Sequence, residues 1–99
     1  IIRVMGIRLV IVDDAPFIRE VLRHMFSGTE VDVIGEAKDG EEGVEVVKNT
    51  QPDVVLMDLV MPKKSGIEAT AEILKLLPQT KVVACSTLDQ NTMMMRALD

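Results

Sequence analysis

Short β-branched runs alternate with helical periodicities along the chain. Ile7-Arg8-Leu9-Val10-Ile11-Val12 is almost wholly apolar, the pattern of a parallel strand buried on both faces. It stops at Asp13-Asp14-Ala15. Pro16 then stands where a first helical turn tolerates it, with an acid ahead of it as a cap. Phe17, Ile18, Val21, Leu22, Met25 and Phe26 recur at helical spacing, and Gly28 is a natural stop. Val31 to Ala37 reads as a second strand, Lys38-Asp39-Gly40 as a turn, and Glu41 to Asn49 as a helix with Val44 and Val47 on one face. Pro52 breaks the chain before Asp53-Val54-Val55-Leu56-Met57, a third buried strand ending at Asp58. The loop Leu59 to Ser65 contains Pro62. Gly66 then opens a helix with Ile67, Ala71, Leu74 and Leu77 inward, closed by Pro78. Lys81 to Cys85 is a fourth strand ending at Ser86, and Gln90 to Leu98 is predicted as a fourth helix.

Strands alternating with helices at this spacing imply βαβ units, hence an α/β fold with a doubly wound parallel sheet and helices on both faces. Ninety-nine residues make one small domain at most, and 47% hydrophobic residues suffice for a core. With no Trp, no Tyr and two Phe, that core must be aliphatic, helped by seven Met. No apolar run approaches the roughly 18 residues of a membrane span. No signal peptide is visible, because Leu9 to Val12 runs straight into two acids. The single Cys, Cys85, cannot form an internal disulfide and suits a small core position, so a cytoplasmic location is expected. The net charge of −5 argues against direct nucleic-acid binding, which needs clustered Lys and Arg. It leaves a cation or a basic protein partner open. Met5-Gly6-Ile7-Arg8 looks like a natural start, so residues 1–6 are expected to be an extension or tag remnant and 7–99 the domain.

Three acids stand at the carboxyl ends of two strands: Asp13 and Asp14 after the first, Asp58 at the third. Ligands of open α/β sheets bind beyond those ends, near the switch point. If the strand order is 2-1-3-4, the three carboxylates converge, with Ser86 one strand further along. Like charges so placed raise at least one pKa unless a cation joins them. Hard oxygen ligands with room for water suit Mg²⁺. A carboxylate beside such a metal can itself be a nucleophile towards phosphorus. Taken singly, each acid is more often just a helix cap or a solvated turn, and it is the three together, with Ser86, that point to a site.

Val12-Asp13-Asp14, Met57-Asp58-Leu59-Val60-Met61-Pro62, Gly66 and a strand ending at Ser86 together resemble the response-regulator receiver domain of two-component signalling. Val12-Asp13-Asp14-Ala15-Pro16-Phe17-Ile18-Arg19 and Gly35-Glu36-Ala37-Lys38-Asp39-Gly40 are similar to single-domain, chemotaxis-type receivers. The resemblance spans about Ile7 to Asp99. It implies a flavodoxin-like sheet and a phosphoacceptor regulator rather than an enzyme, one that assists its own phosphorylation and dephosphorylation. It also implies the roles. Asp58 takes a phosphoryl group from a phosphohistidine of a sensor histidine kinase. Asp14 ligates Mg²⁺ directly and Asp13 chiefly through water, with Asp58 and the backbone carbonyl of Val60 as further ligands. Ser86, with Thr87 beside it, binds the phosphoryl group and switches the neighbouring surface, which an output protein or fused effector reads. Pro62 and Gly66 shape the loop, while Val60 and Leu88 tune water access and, being apolar, imply slow self-dephosphorylation.

The family also has a fifth strand and helix, with a Lys ending that strand. No Lys follows Ser86, and Lys81 lies at the wrong end of its own strand. The fifth strand and helix are therefore expected to be missing, and the exposed sheet edge to favour a dimer. Two other functions compete. Asp-nucleophile phosphatases want a second Asp two residues after the nucleophile, where this chain has Val60. A phosphorylation-independent docking module would normally have lost an acid, and all three remain. No glycine-rich phosphate loop follows Val12, so nucleotide binding has no support. Met93-Met94-Met95 fills core or greets partners, with at least one side chain exposed on a helix. His24 is expected at the surface, Cys85 in the core, and Lys63 and Lys64 either solvated or facing an acidic kinase surface.

Overall fold

A computed structural model describes residues 6–61 and 63–85, and the backbone of 95–98. The elements are β1 (Ile7–Val12), α1 (Pro16–Phe26), β2 (Val31–Ala37), α2 (Gly40–Thr50), β3 (Val54–Asp58), α3 (Gly66–Leu76), β4 (Lys81–Cys85) and β5 (Met95–Leu98). The four parallel strands lie in the order β2-β1-β3-β4, the flavodoxin-like order that the resemblance implies.

Alternate side chains of each strand point to opposite faces. Val10, Val12, Val55, Met57 and Val82 meet Val44 and Val47 of α2 and Ala69 and Ile73 of α3 in one buried cluster. Leu9 and Ile11 are buried on the face that α1 flanks, beside Ile18, Leu22 and Phe26. Among the described residues the buried hydrophobic side chains are aliphatic apart from Met57, and none is aromatic, as the scarcity of aromatics requires.

Several expectations need correction. Periodicity predicts a helix over Gln90–Leu98, but Met95–Leu98 is a strand running antiparallel along β4, with Val82 opposite Leu98 and Cys85 opposite Met95. A short terminal helix is marginal by itself, whereas the edge of β4 offers a row of unpaired N–H and C=O groups. This short antiparallel strand takes the place beside β4, and the fold remains the four parallel strands of a receiver with the family's own fifth strand truncated. The edge on which a dimer was expected is occupied by the chain's own residues. Residues 86–94, with Met93 and Met94, lie outside the described residues.

The face of α3 is also rotated from expectation. Ile67 and Ala71 are exposed, and the buried side is Gly66, Ala69, Thr70 and Ile73, with Leu74 and Leu77 partly buried. Gly66 rests on the backbone of Asp58 and Leu59, and that contact sets the helix's rotation. On α1 no residue is fully buried, and Phe17 and Met25 are well exposed. Ile18, Leu22 and Phe26 form its inner edge over an open apolar groove of roughly 750 Å³. His24 is exposed, and Cys85 is half-buried rather than fully in the core.

Candidate functional site

Register brings the acids together. Val12 lies opposite Met57 on neighbouring parallel strands, so Asp13 and Asp58 emerge side by side at the same end of the sheet. The Asp13 N–H extends the ladder to the Ala37 carbonyl at 3.0 Å, and the Leu59 N–H does the same to the Cys85 carbonyl at 3.0 Å. Asp14 follows at once. One carboxylate oxygen from each of Asp13, Asp14 and Asp58 lies within 4.8 Å of the others. Asp13 and Asp58 are buried, at 5% and 2% exposure, and Asp14 is exposed.

An acid was expected to cap α1, yet the N-cap is Ala15, with no side-chain cap and Pro16 in the first turn. Asp13 Oδ1 instead accepts from the Ala15 N–H at 2.9 Å, which folds the acidic turn on itself. Proline supplies no N–H there, so the helix start needs less from a cap. The carboxylates of Asp13 and Asp14 are left facing the site.

The electrostatics are those of crowded acids. Burial holds the Asp13 carboxyl above the usual Asp range; the Ala15 N–H opposes this, the Asp14 charge adds to it, and Arg19 opposes it weakly. The Cys85 thiol is pushed up by burial and by the charges of Asp58 and Asp13, so it stays protonated. Two unit charges 4.8 Å apart repel by about 3.5 kcal/mol at an effective dielectric constant of about 20. A divalent cation converts that repulsion into attraction, and three carboxylates with one open to solvent fit a hard ion that keeps some of its water.

The loop after Asp58 is held at both ends. Asp58 Oδ1 accepts from the Val60 N–H at 3.1 Å, and the Gly66 N–H reaches the Leu59 carbonyl at 3.3 Å. Ser65 and Glu68 cap α3 reciprocally, through Glu68 N–H to Ser65 Oγ at 3.1 Å and Ser65 N–H to Glu68 Oε1 at 3.3 Å. Lys63, in a left-handed conformation with φ of 63°, pairs with Asp39 at 3.8 Å, and Lys64 pairs with Glu72 at 2.6 Å. Both lysines therefore engage acids of this chain. Pro62, Ser86, Thr87 and Leu88 lie outside the described residues.

Sequence reasoning passed over Arg19, whose guanidinium donates to the main-chain carbonyl of Asp13 at 2.6 Å. Its place near the start of α1, five residues after Asp14, was the available signal. Asp39 was also read only as a turn residue. It caps α2 by accepting from the Glu42 N–H at 2.8 Å.

Four parallel strands with a carboxylate trio at their carboxyl ends are the arrangement expected of the signalling receivers. Residues 9–99 match the response regulator receiver domain, and the chain belongs to that family. It is 43% identical over 94 residues to the chemotaxis protein CheY of Thermotoga maritima, covering 95% of this chain and 78% of that protein. It superposes on the response regulator domain of Thermotoga maritima CheB with a TM-score of 0.78 at 40% identity, covering 89% of this chain and 66% of that one. It is similar at a TM-score of 0.79 and 32% identity to CheY in the CheX-CheY-BeF3-Mg²⁺ complex of Borrelia burgdorferi, covering 86% and 66%. The chain thus spans just under two thirds of the length of these solved chains. It is a chemotaxis-type response-regulator receiver domain. Among the described residues, no helix is long and apolar enough to cross a membrane.

Proposed function

We propose that this receiver accepts a phosphoryl group on Asp58 from a phosphohistidine of a sensor kinase, in a Mg²⁺-dependent reaction that switches binding of an output partner in the cytoplasm. An Asp58 carboxylate oxygen attacks phosphorus in line with the scissile P–N bond. The imidazole leaves with the bonding electron pair, and an acyl phosphate remains on Asp58. Asp14 and Asp58 would hold the ion directly, Asp13 chiefly through water, and the Val60 carbonyl would complete the protein's share. When bound, Mg²⁺ supplies positive charge that offsets both the carboxylates and the phosphoryl oxygens.

The chain's own residues do the rest. The Val60 N–H fixes the Asp58 carboxylate by one oxygen. Burial of Asp58 limits water at the acyl phosphate. Ser86 and Thr87 would bind the phosphoryl group and carry the switch, with Pro62 and Gly66 shaping the loop between. The observation that carries this reading is the meeting of three carboxylates, two of them buried, within 4.8 Å. The Borrelia relative, whose structure is described as a complex with BeF3 and Mg²⁺, supports it. The apolar Val60 leaves a phosphatase mechanism without its general acid.

Intact-mass measurement after incubation with acetyl phosphate tests the reading. One phosphoryl addition is expected with Mg²⁺, none with EDTA, and none in Asp58→Asn. Addition that persists in Asp58→Asn, or that ignores EDTA, overturns it. No addition in any condition, together with unaltered partner binding in Asp58→Asn, would favour a docking module.

A further inference from the structure

We infer that Arg19 is a positioning residue for the cation site, holding the Asp13–Asp14 turn through the main-chain carbonyl of Asp13. The inference rests on the reading of that turn as the Mg²⁺ site. Arg19 Nη1 donates to the Asp13 carbonyl at 2.6 Å, and its Nε donates to Glu36 Oε1 at 3.1 Å. Glu36 Oε2 is met in turn by Arg23 Nε at 3.1 Å. The Arg19 side chain is only 18% exposed, against 53% for Arg23, so Arg19 is the inner arm of the pair. One guanidinium thereby ties the end of β1, the first turn of α1 and β2 together.

The tie acts on the peptide that carries Asp14. The Asp13 N–H is bonded to Ala37, Asp13 Oδ1 to the Ala15 N–H, and the Asp13 carbonyl to Arg19. With all three polar groups of Asp13 engaged, the peptide plane ahead of Asp14 is fixed. The Asp14 carboxylate, itself exposed, starts from a set direction. The planar fork of arginine meets a carbonyl and a carboxylate at once, which the single nitrogen of lysine cannot reproduce.

Charge and position make opposite demands, which separates this role from simple proximity. A guanidinium close to a cation site repels the cation, so as a charge alone its removal would tighten Mg²⁺ binding. As a positioning group its removal loosens binding. Groups that orient metal ligands typically cost 10- to 100-fold in affinity when removed.

The test follows backbone amide NMR shifts of the intact protein with added MgCl₂, since no Trp or Tyr is present to report by fluorescence. Wild type, Arg19→Met and Arg19→Lys are compared. Both variants are expected to bind Mg²⁺ about 10-fold more weakly. Metal-free spectra should show displaced Asp14 and Ala15 amides and undisturbed β3 amides. Arg19→Met binding as tightly as wild type, or more tightly, overturns the inference. If Arg19→Met does not fold, Arg19→Lys decides, and wild-type affinity in that variant overturns it. A wild-type protein without saturable Mg²⁺ shifts around Asp13, Asp14 and Asp58 sinks the site itself, a distinct failure.

Discussion

Gly66→Ala isolates the contact that seats Asp58. A Cβ on residue 66 would lie 2.2 Å from the Asp58 carbonyl oxygen, 2.6 Å from Leu59 Cα and 2.9 Å from the Asp58 carbonyl carbon, where ordinary contact begins at 3.4 Å. All three atoms are main chain, held by the β3–β4 ladder and the Leu59–Cys85 bond, so none can swing aside as a side-chain tip would. Helix propensity alone favours Ala over Gly by about 1 kcal/mol. Overpacking typically costs about 1–3 kcal/mol, and a clash this deep against backbone belongs at the upper end. The net expectation is a loss of about 2 kcal/mol. With a urea slope of about 1 kcal/mol/M, the unfolding midpoint falls by about 2 M, read by far-ultraviolet circular dichroism. Gly28→Ala is the control. Gly28 has φ of +78°, and a Cβ added there would meet none of the described residues within 4 Å, so the substitution carries only the left-handed penalty of about 1 kcal/mol. A Gly66→Ala protein as stable as wild type, or no worse than Gly28→Ala, would refute the reasoning.

Four further expectations follow from the same geometry. Asp58→Asn keeps the acceptor for the Val60 N–H while removing one of three crowded charges, so in EDTA it should gain about 1 kcal/mol in urea unfolding; a loss would contradict the crowding. Asp13 has a folded pKa above its ordinary 3.8, so the native state binds its proton first and the charged form is penalised at neutral pH. Asp13→Asn should therefore exceed wild type in metal-free stability at neutral pH, and the gap should close as pH falls through the raised pKa towards 3.8; a gap independent of pH refutes this. Among the described residues Thr70 Oγ1 is buried without a hydrogen-bond partner, so Thr70→Val should be neutral or stabilising by about 1 kcal/mol in thermal unfolding. Val60 is 43% exposed beside the phosphoacceptor, and Val60→Asn, which can orient water, should speed loss of phosphate from phosphorylated protein; an unchanged rate assigns Val60 to packing alone.

The sheet and its acids were legible because both follow from strand periodicity. Apolar runs ending in acids mark the ends of β1 and β3, and parallel register does the rest, as Val12 opposite Met57 shows. The face of α3 was not legible. Ile67 and Ala71 satisfy a helical spacing as well as Ala69 and Ile73 do, and only the approach of Gly66 to the Asp58 backbone decides between them. The strand at Met95–Leu98 escaped for a related reason, since local periodicity carries no information about a vacant sheet edge nearby. Arg19 was hidden because its partners, Asp13 and Glu36, are distant from one another in sequence and meet only through β1–β2 pairing.

Anomalous scattering from crystals grown with Mn²⁺ in place of Mg²⁺ bears most directly on the central arrangement. The expected result is a single strong peak coordinated by carboxylate oxygens of Asp14 and Asp58 and within one water of Asp13. A peak elsewhere on the surface, with the three side chains turned away from one another, would contradict it.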